Sequence, residues 1–338
     1  MFKTRNATLF SILTLALLLT LLLNIALGQV QIPINEIFAT VFGGNTSKET
    51  WDYIIINYRI PKAITAILVG IGLSVSGLLL QTLFRNPLAG PYVLGLSSGS
   101  SLGVALLVMG SSFFGLQLSE MGFGVILASC SGSFLVLLLV LLISQKLRDT
   151  ATILIVGLMF SSFTSAFVGV LTYFSSAEQL QKFTFWSMGN IGNLSWQSVL
   201  ILSLCVFVGT ALSLLSVKAL DALLLGENYA KSMGLNIKKS RFIIILATSI
   251  LAGSITAFAG PIAFIGLAVP HLAKLLFRTS NHQVLFWSTI LIGALLMLLC
   301  DMVSQMPGFD FTLPINAITS IIGAPIVIWL LLQKGILK

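Results

Sequence analysis

About ten runs of apolar residues, each close to the length of a bilayer-crossing helix, follow one another along these 338 residues. They occupy roughly 8–27, 58–81, 94–110, 119–144, 152–174, 197–217, 242–258, 259–278, 285–301 and 313–332. A span needs about 20 apolar residues. Backbone inside a bilayer must satisfy its own hydrogen bonds, so runs of this kind fold as helices. Composition agrees: 57% of the residues are hydrophobic and 8% charged, against about 25% charged in a soluble domain. The chain therefore reads as one all-α polytopic membrane domain over residues 1–338, with about ten transmembrane helices. Ala26-Leu27-Gly28 loosely resembles a signal-peptide cleavage site. The first run is longer than the apolar stretch of such a peptide, about 7–15 residues, so an uncleaved first helix is the expectation.

Lys and Arg outnumber Asp and Glu by 18 to 10, but they flank apolar runs and build no separate basic domain. Nucleic acid is therefore not expected as a partner, and the charge reports sidedness instead. With ten spans, only Lys48, Arg59, Lys62 and Lys182 of the 18 basic residues fall on one side. The rest fall on the other, together with both termini and a charged loop at about 220–241. Cytoplasmic segments are those enriched in Lys and Arg, which predicts that this loop and the termini are cytoplasmic. Cys130, Cys205 and Cys300 sit inside apolar runs without CxxC spacing, so neither a disulfide framework nor a structural metal is expected.

The loop is the longest charged interruption of the chain. Leu223, Leu224 and Leu225 lead into Glu227 and Asn228, after which Tyr229, Met233, Leu235 and Ile237 alternate with polar residues. The pattern predicts one or two short amphipathic helices around Gly226 and Gly234. Their apolar face either rests on the chain's own bundle or is offered to a partner; both readings stay open. Residues 226–232 mimic a phosphate-binding loop, but Ala230 stands where its second glycine must be and no strand precedes it.

Other breaks carry their own expectations. Arg59-Ile-Pro-Lys62 reads as a helix start with proline in the first turn. Cations at a helix N-terminus oppose its dipole, which predicts an outside reason: carboxylates on a partner, or lipid headgroups. Gly70, Gly72, Ser74, Ser76 and Gly77 suit either close helix packing or the lining of a passage. Pro261, Gly266 and Pro270 predict a broken or re-entrant element. Residues 68–77 loosely rhyme with 251–260, as duplicated transporter halves do. Trp186 and Trp196 suit an interfacial belt.

No span carries a well-centred acid or base, and Asp301 is placed near the outer face. An ion-coupled carrier ordinarily needs such a group; that rival reading requires uptake without ATP. His271 reads as a buried structural imidazole, and no HExxH or GxSxG constellation supports an intramembrane enzyme. If transport is uphill, its energy must come from another chain.

Over nearly its whole length the sequence resembles permease subunits of the iron-siderophore and cobalamin class of ATP-driven importers, the FecCD-type or type II ABC importers. The likeness rests on Arg85-Asn-Pro-Leu-Ala89, the loop from Leu225 to Leu235, Gly260-Pro-Ile-Ala-Phe-Ile-Gly-Leu267 with Val269-Pro-His271, and Leu313-Pro-Ile315. It implies a cobalamin-permease-like fold in a bacterial cytoplasmic membrane. It also implies a homodimer or close heterodimer with the passage at the interface. The subunit would be no enzyme and hold no cofactor or metal, ATP being bound by a separate cytoplasmic ATPase subunit. An extracytoplasmic binding protein would deliver the cargo, an iron–siderophore-type chelate, with haem or cobalamin as alternatives. The resemblance assigns ATPase coupling to Leu225, Gly226, Glu227, Tyr229, Lys231 and Gly234. It assigns binding-protein docking to Arg59 and Lys62, with Gln305 standing where the cobalamin permease has a further basic residue. The cytoplasmic gate would fall at Asn86, Leu88, Thr150 and Ala151.

Overall fold

The computed structural model describes the chain outside residues 1, 29, 31, 42–43, 45–46, 111–120, 147–149, 306–310 and 337–338; among the described residues it is helical without strands. Expectations resting on Gly43, Asn45, Glu120, Arg148, Asp149, Asp310 and Lys338 fall outside that description, as do those on the side chains of Thr150 and Ala151.

In chain order the helices are α1 (Phe2–Ala26), α2 (Ile34–Val41), α3 (Glu49–Ile54), α4 (Ile60–Leu83), α5 (Leu96–Val108), α6 (Met121–Lys146), α7 (Thr150–Tyr173), α8 (Ala177–Ser187), α9 (Trp196–Leu215), α10 (Val217–Leu224), α11 (Glu227–Ser232), α12 (Ile237–Ala259), α13 (Ile265–Phe277), α14 (His282–Gln305) and α15 (Ile315–Ile336). The apolar runs of the sequence are α1, α4 to α7, α9 and α12 to α15. Among the described residues, 6 helical stretches are long and apolar enough to cross a membrane: Arg5–Ala26, Glu49–Leu83, Ile155–Tyr173, Trp196–Leu215, Ile237–Ala259 and His282–Gln305. Shorter apolar stretches lie at Leu96–Val108, Gly124–Val140, Ile265–Phe277 and Ile315–Trp329.

These helices are apolar on every side, so amphipathicity cannot decide which of them lies inside. Small residues do. A Cβ at Gly70 would overlap the backbone of Gly293 on α14, and one at Gly77 would overlap the carbonyl of Gly266 on α13. Glycine at these positions lets α4 press backbone to backbone against two neighbours, the approach that drives helix association in lipid. The glycines and serines of 70–77 therefore serve close packing. With α12 on another side, α4 becomes the centre of the bundle: 78% of the most apolar stretch within Glu49–Leu83 is buried, against 11% within Ile155–Tyr173 and 22% within Arg5–Ala26.

The break near 260 is satisfied by side chains from elsewhere. Gly260 has φ +75 and Phe264 φ +66, so the chain between α12 and α13 cannot continue the helix. The Tyr92 hydroxyl donates to the Ile262 carbonyl and accepts from the Ile262 N–H, and Asn316 Oδ1 accepts from the Ala263 N–H at 3.0 Å. Irregular backbone inside a bundle needs such partners, because no water competes for them.

One expectation is corrected. The chain is helical upstream of Arg59, running through α3 and a widened turn, Ile55–Arg59, into α4. Proline at 61 removes an N–H and crowds the carbonyl four residues back, strain that a widened turn relieves. Arg59 and Lys62 consequently do not stand at a helix N-terminus, and the dipole argument for an outside partner lapses. The segment before α9 also contains a regular helix, α8. Its start is closed by a capping box in which Ser176 and Gln179 bond each other's backbone.

Candidate functional sites at the two ends

The first site is the α10–α11 loop. Gly226 has φ +117 and Gly234 φ +83, conformations that a side chain would strain, so glycine allows the chain to turn sharply after α10 and again after α11. The turn after α11 closes with the Leu235 N–H on the Ala230 carbonyl at 3.0 Å, and Asn236 caps α12 by accepting from the Lys239 N–H at 3.1 Å. The loop has two apolar faces. Leu220, Leu223 and Ala230 are buried against the bundle, whereas Leu224, Leu225, Tyr229 and Met233 are exposed, the last three by 64%, 54% and 63%. The two sequence readings of this loop thus describe opposite sides of it. Lys231, Lys238 and Lys239 are also exposed around the outward patch.

Polar contacts tie the loop to the bundle. Glu227 pairs with Arg241 of α12 at 2.9 Å, which fixes its carboxylate inward. The Arg85 guanidinium donates to the Leu223 carbonyl at 2.8 Å. Arg85 opens the tight turn after α4, in which Asn86 Oδ1 accepts from the Leu88 N–H at 2.9 Å. Leu88 projects outward, 45% exposed. Asn86 and Leu88 thus lie on a turn wired directly to α10. Thr150 begins α7, and Ala151 follows it.

A further contact was not legible in the sequence. Asp221 Oδ1 accepts from both the His282 N–H at 2.9 Å and the His282 ring Nδ1 at 2.7 Å. The other ring nitrogen lies 2.8 Å from Thr82 Oγ1 on the last turn of α4. His271 is buried as expected, its Nδ1 on the Leu267 carbonyl at 3.0 Å. His282 is buried more deeply, at 1% exposure. The available signal was Asp221 itself, an acid within an otherwise apolar stretch of α10.

The second site is at the opposite end. Arg59 is 8% exposed, and its guanidinium donates to the carbonyls of Ile25 at 2.6 Å and Ala26 at 2.8 Å and to that of Val30. It closes the C-terminus of α1, where unpaired carbonyls attract a cation. Lys62 pairs with Asp301 of α14 at 3.0 Å. Asp301 also accepts from Asn24 at 2.9 Å and from Gln305 at 2.8 Å. Asp301, expected near the outer face, lies at this end on the last turns of α14 and is wholly buried, with Asn24 and Gln305 at 3% and 7% exposure. The cations at 59 and 62 thus each have a partner inside the chain. A cavity of about 720 Å³ opens beside this network, lined by Tyr58, Arg59, Lys62, Asn190, Asp301 and Gln305 among others. Trp196, beyond it, is half exposed and donates to the Ile56 carbonyl at 3.2 Å. Among the described residues no three His, Cys, Asp or Glu side chains gather to hold a metal.

The model of the FecCD transport family matches residues 16–333. The hemin transport system permease protein HmuU of Yersinia pestis is 34% identical over 324 residues, 95% of this chain and 96% of that protein. The vitamin B12 import system permease protein BtuC of Vibrio parahaemolyticus is 34% identical over 313 residues, 92% of this chain and 91% of that one. A solved metal-chelate type ABC transporter in an inward-facing conformation superposes with a TM-score of 0.85 at 30% identity, covering 97% of this chain and 99% of its own.

Proposed function

The chain belongs to the FecCD transport family as a multi-pass permease subunit of an ABC importer, and from that premise we propose that its α10–α11 patch is the seat of the ATPase subunit. The observation that carries the reading is the outward cluster of Leu224, Leu225, Tyr229 and Met233 on a loop bonded to the Arg85–Leu88 turn. An exposed apolar cluster rimmed by lysines marks an interaction surface. Gly226 and Gly234 shape it, Lys231 flanks it, and Glu227 braces it from behind. The permease holds no cofactor of its own; ATP is bound by the partner. The loop and both termini face the cytoplasm, in keeping with the charge asymmetry of the sequence. The Leu225→Asp/Tyr229→Asp variant should fail to co-purify with the ATPase while folding normally, and retention of the ATPase would refute the seat.

At the other end, Lys62 is the cation within reach of a binding protein, being partly exposed beside the cavity; Arg59 has a structural task instead. Docking through Lys62 is electrostatic and should weaken as salt rises. A second copy of the permease completes the passage. It covers α7, whose Met159, Phe163 and Phe167 stand exposed beside small Ser162 and Ser165. Cross-linking cysteines placed along α7 in membranes tests the homodimer, and failure to form a dimer species counts against it.

The cargo is a bulky iron chelate of the siderophore type, the class closest to the metal-chelate and hemin relatives. Uptake of a labelled ferric siderophore by the purified complex in ATP-loaded vesicles should exceed that of haemin and cyanocobalamin. Preference for either of the latter assigns the cargo to it instead. Uptake driven by a proton gradient without ATP would move the protein to the ion-coupled class.

A further inference from the structure

The contacts around α10 form a closed circuit. Asp221 on α10 holds both the backbone N–H and the ring of His282 at the start of α14. The ring reaches across to Thr82 on the last turn of α4. Three residues further on, Arg85 returns to α10 through the Leu223 carbonyl. His282 and Thr82 are buried at 1% and 3%, so no water substitutes for either contact if the ring moves. The circuit therefore joins the first half of α10, the foot of α14 and the end of α4, and the last of these carries the Asn86–Leu88 turn.

We infer that His282 is a positioning residue: the joint through which a displacement of α10 is passed to the end of α4 and the turn at 85–88. This rests on the reading that the ATPase seats on α10–α11. The geometry explains why a ring is needed. Its two nitrogens lie on opposite edges, so one residue bonds a carboxylate on one helix and a hydroxyl on another. Because Asp221 grips backbone and ring together, the imidazole cannot swing without disturbing the start of α14. The joint is thereby stiff in the direction that links α10 to α4.

The side chains of Asn and Gln each reproduce half of this geometry. His282→Asn keeps a donor near Nδ1 for Asp221 but cannot reach Thr82. Thr82→Val removes the hydroxyl in an isosteric side chain, and Thr82→Ser restores it. The readout is the Leu88→Cys variant, in a background carrying Cys130→Ser, Cys205→Ser and Cys300→Ser. It is labelled with a membrane-impermeant maleimide in inverted vesicles holding the complex with its ATPase, with and without ATP. In the parent, ATP should change the labelling rate at 88. In His282→Asn and Thr82→Val that ATP-dependent change should fall by about fivefold or more, with the ATPase still co-purifying in full. Thr82→Ser should retain the change.

The inference is overturned if Thr82→Val keeps the full response, if Thr82→Ser loses as much as valine, or if the parent shows no ATP-dependent change at 88. Should His282→Asn fail to fold, the two Thr82 variants decide alone. The Leu225→Asp/Tyr229→Asp variant reports on the seat separately. If it retains the ATPase, the seat is wrong, while the Thr82 pair still judges the joint.

Discussion

The two ends of the bundle use the same interactions to opposite effect. At the cavity end, Lys62, Asp301, Asn24, Gln305 and Arg59 bond one another or helix carbonyls on long helices α1, α4 and α14 and the stretch just beyond α1. At the loop end, Asp221, His282, Thr82, Arg85, Glu227 and Arg241 bond just as closely, but through two short helices set off by Gly226 and Gly234. Charged groups on long, mutually packed helices lock those helices together. At the loop end the same kinds of group tie two short helices, parted by Gly226 and followed by Gly234, to the ends of α4, α12 and α14.

The sharpest way to break the comparison is at the cavity end. Lys62→Met leaves Asp301 buried without its cation, and removing one partner of a buried pair costs about 3–5 kcal/mol. Thermal unfolding in detergent should show a large loss, most of it recovered by Lys62→Met/Asp301→Asn. A small loss would mean that the network is not the lock described. Asp221→Ala removes the acceptor at the start of α14, a cap worth about 0.5–2 kcal/mol. Hydrogen exchange should rise in the first turn of α14 and in α10, but not in α1. A smaller effect is expected for Glu227→Gln. Glu227 is 34% exposed, and an ion pair so open to solvent contributes up to about 1 kcal/mol; melting should barely move.

The smallest effect concerns the segment outside the bundle. The Ser47 hydroxyl and its N–H, the latter at 2.9 Å, donate to the Glu36 carboxylate and hold its pKa below the usual value, with burial and Asp52 opposing. A depressed folded-state pKa stabilises above the unfolded value, and the contribution is lost as pH falls through the folded one. The protection factors of the α2 amides, which remove the intrinsic pH dependence of exchange, should therefore fall on acidification while those of α4 hold. Equal protection of α2 at both pH values would discount the Ser47 contacts.

Much of the fold could be read in advance because lipid leaves few options. Each apolar run became a helix, and glycine and proline marked where helices stop, as at Gly260-Pro261 and Asn86-Pro87. The loop's helices and their two glycine joints were legible for the same reason. What could not be read lies in pairs distant in sequence. Asp221 and His282 are separated by a whole span and more, and nothing local distinguishes His282 from an exposed polar residue at a helix start. Arg59 and Lys62 were visible as cations, but their partners at Ile25, Ala26 and Asp301 belong to helices whose adjacency periodicity does not encode.

Taken alone, the amino-acid order determined an all-helical membrane protein of about ten apolar helices, the rough bounds of those helices, and that one loop differs from the rest; it left α2, α3 and α8 unread. These are consequences of hydropathy and backbone hydrogen bonding, which act within a single segment. Only the tertiary structure decided which helix lies at the centre, which charges are mated inside, and which loop residues face outward. Those outcomes depend on whether two backbones can touch, as at Gly70 and Gly293, and whether two groups tens or hundreds of residues apart meet within hydrogen-bonding distance.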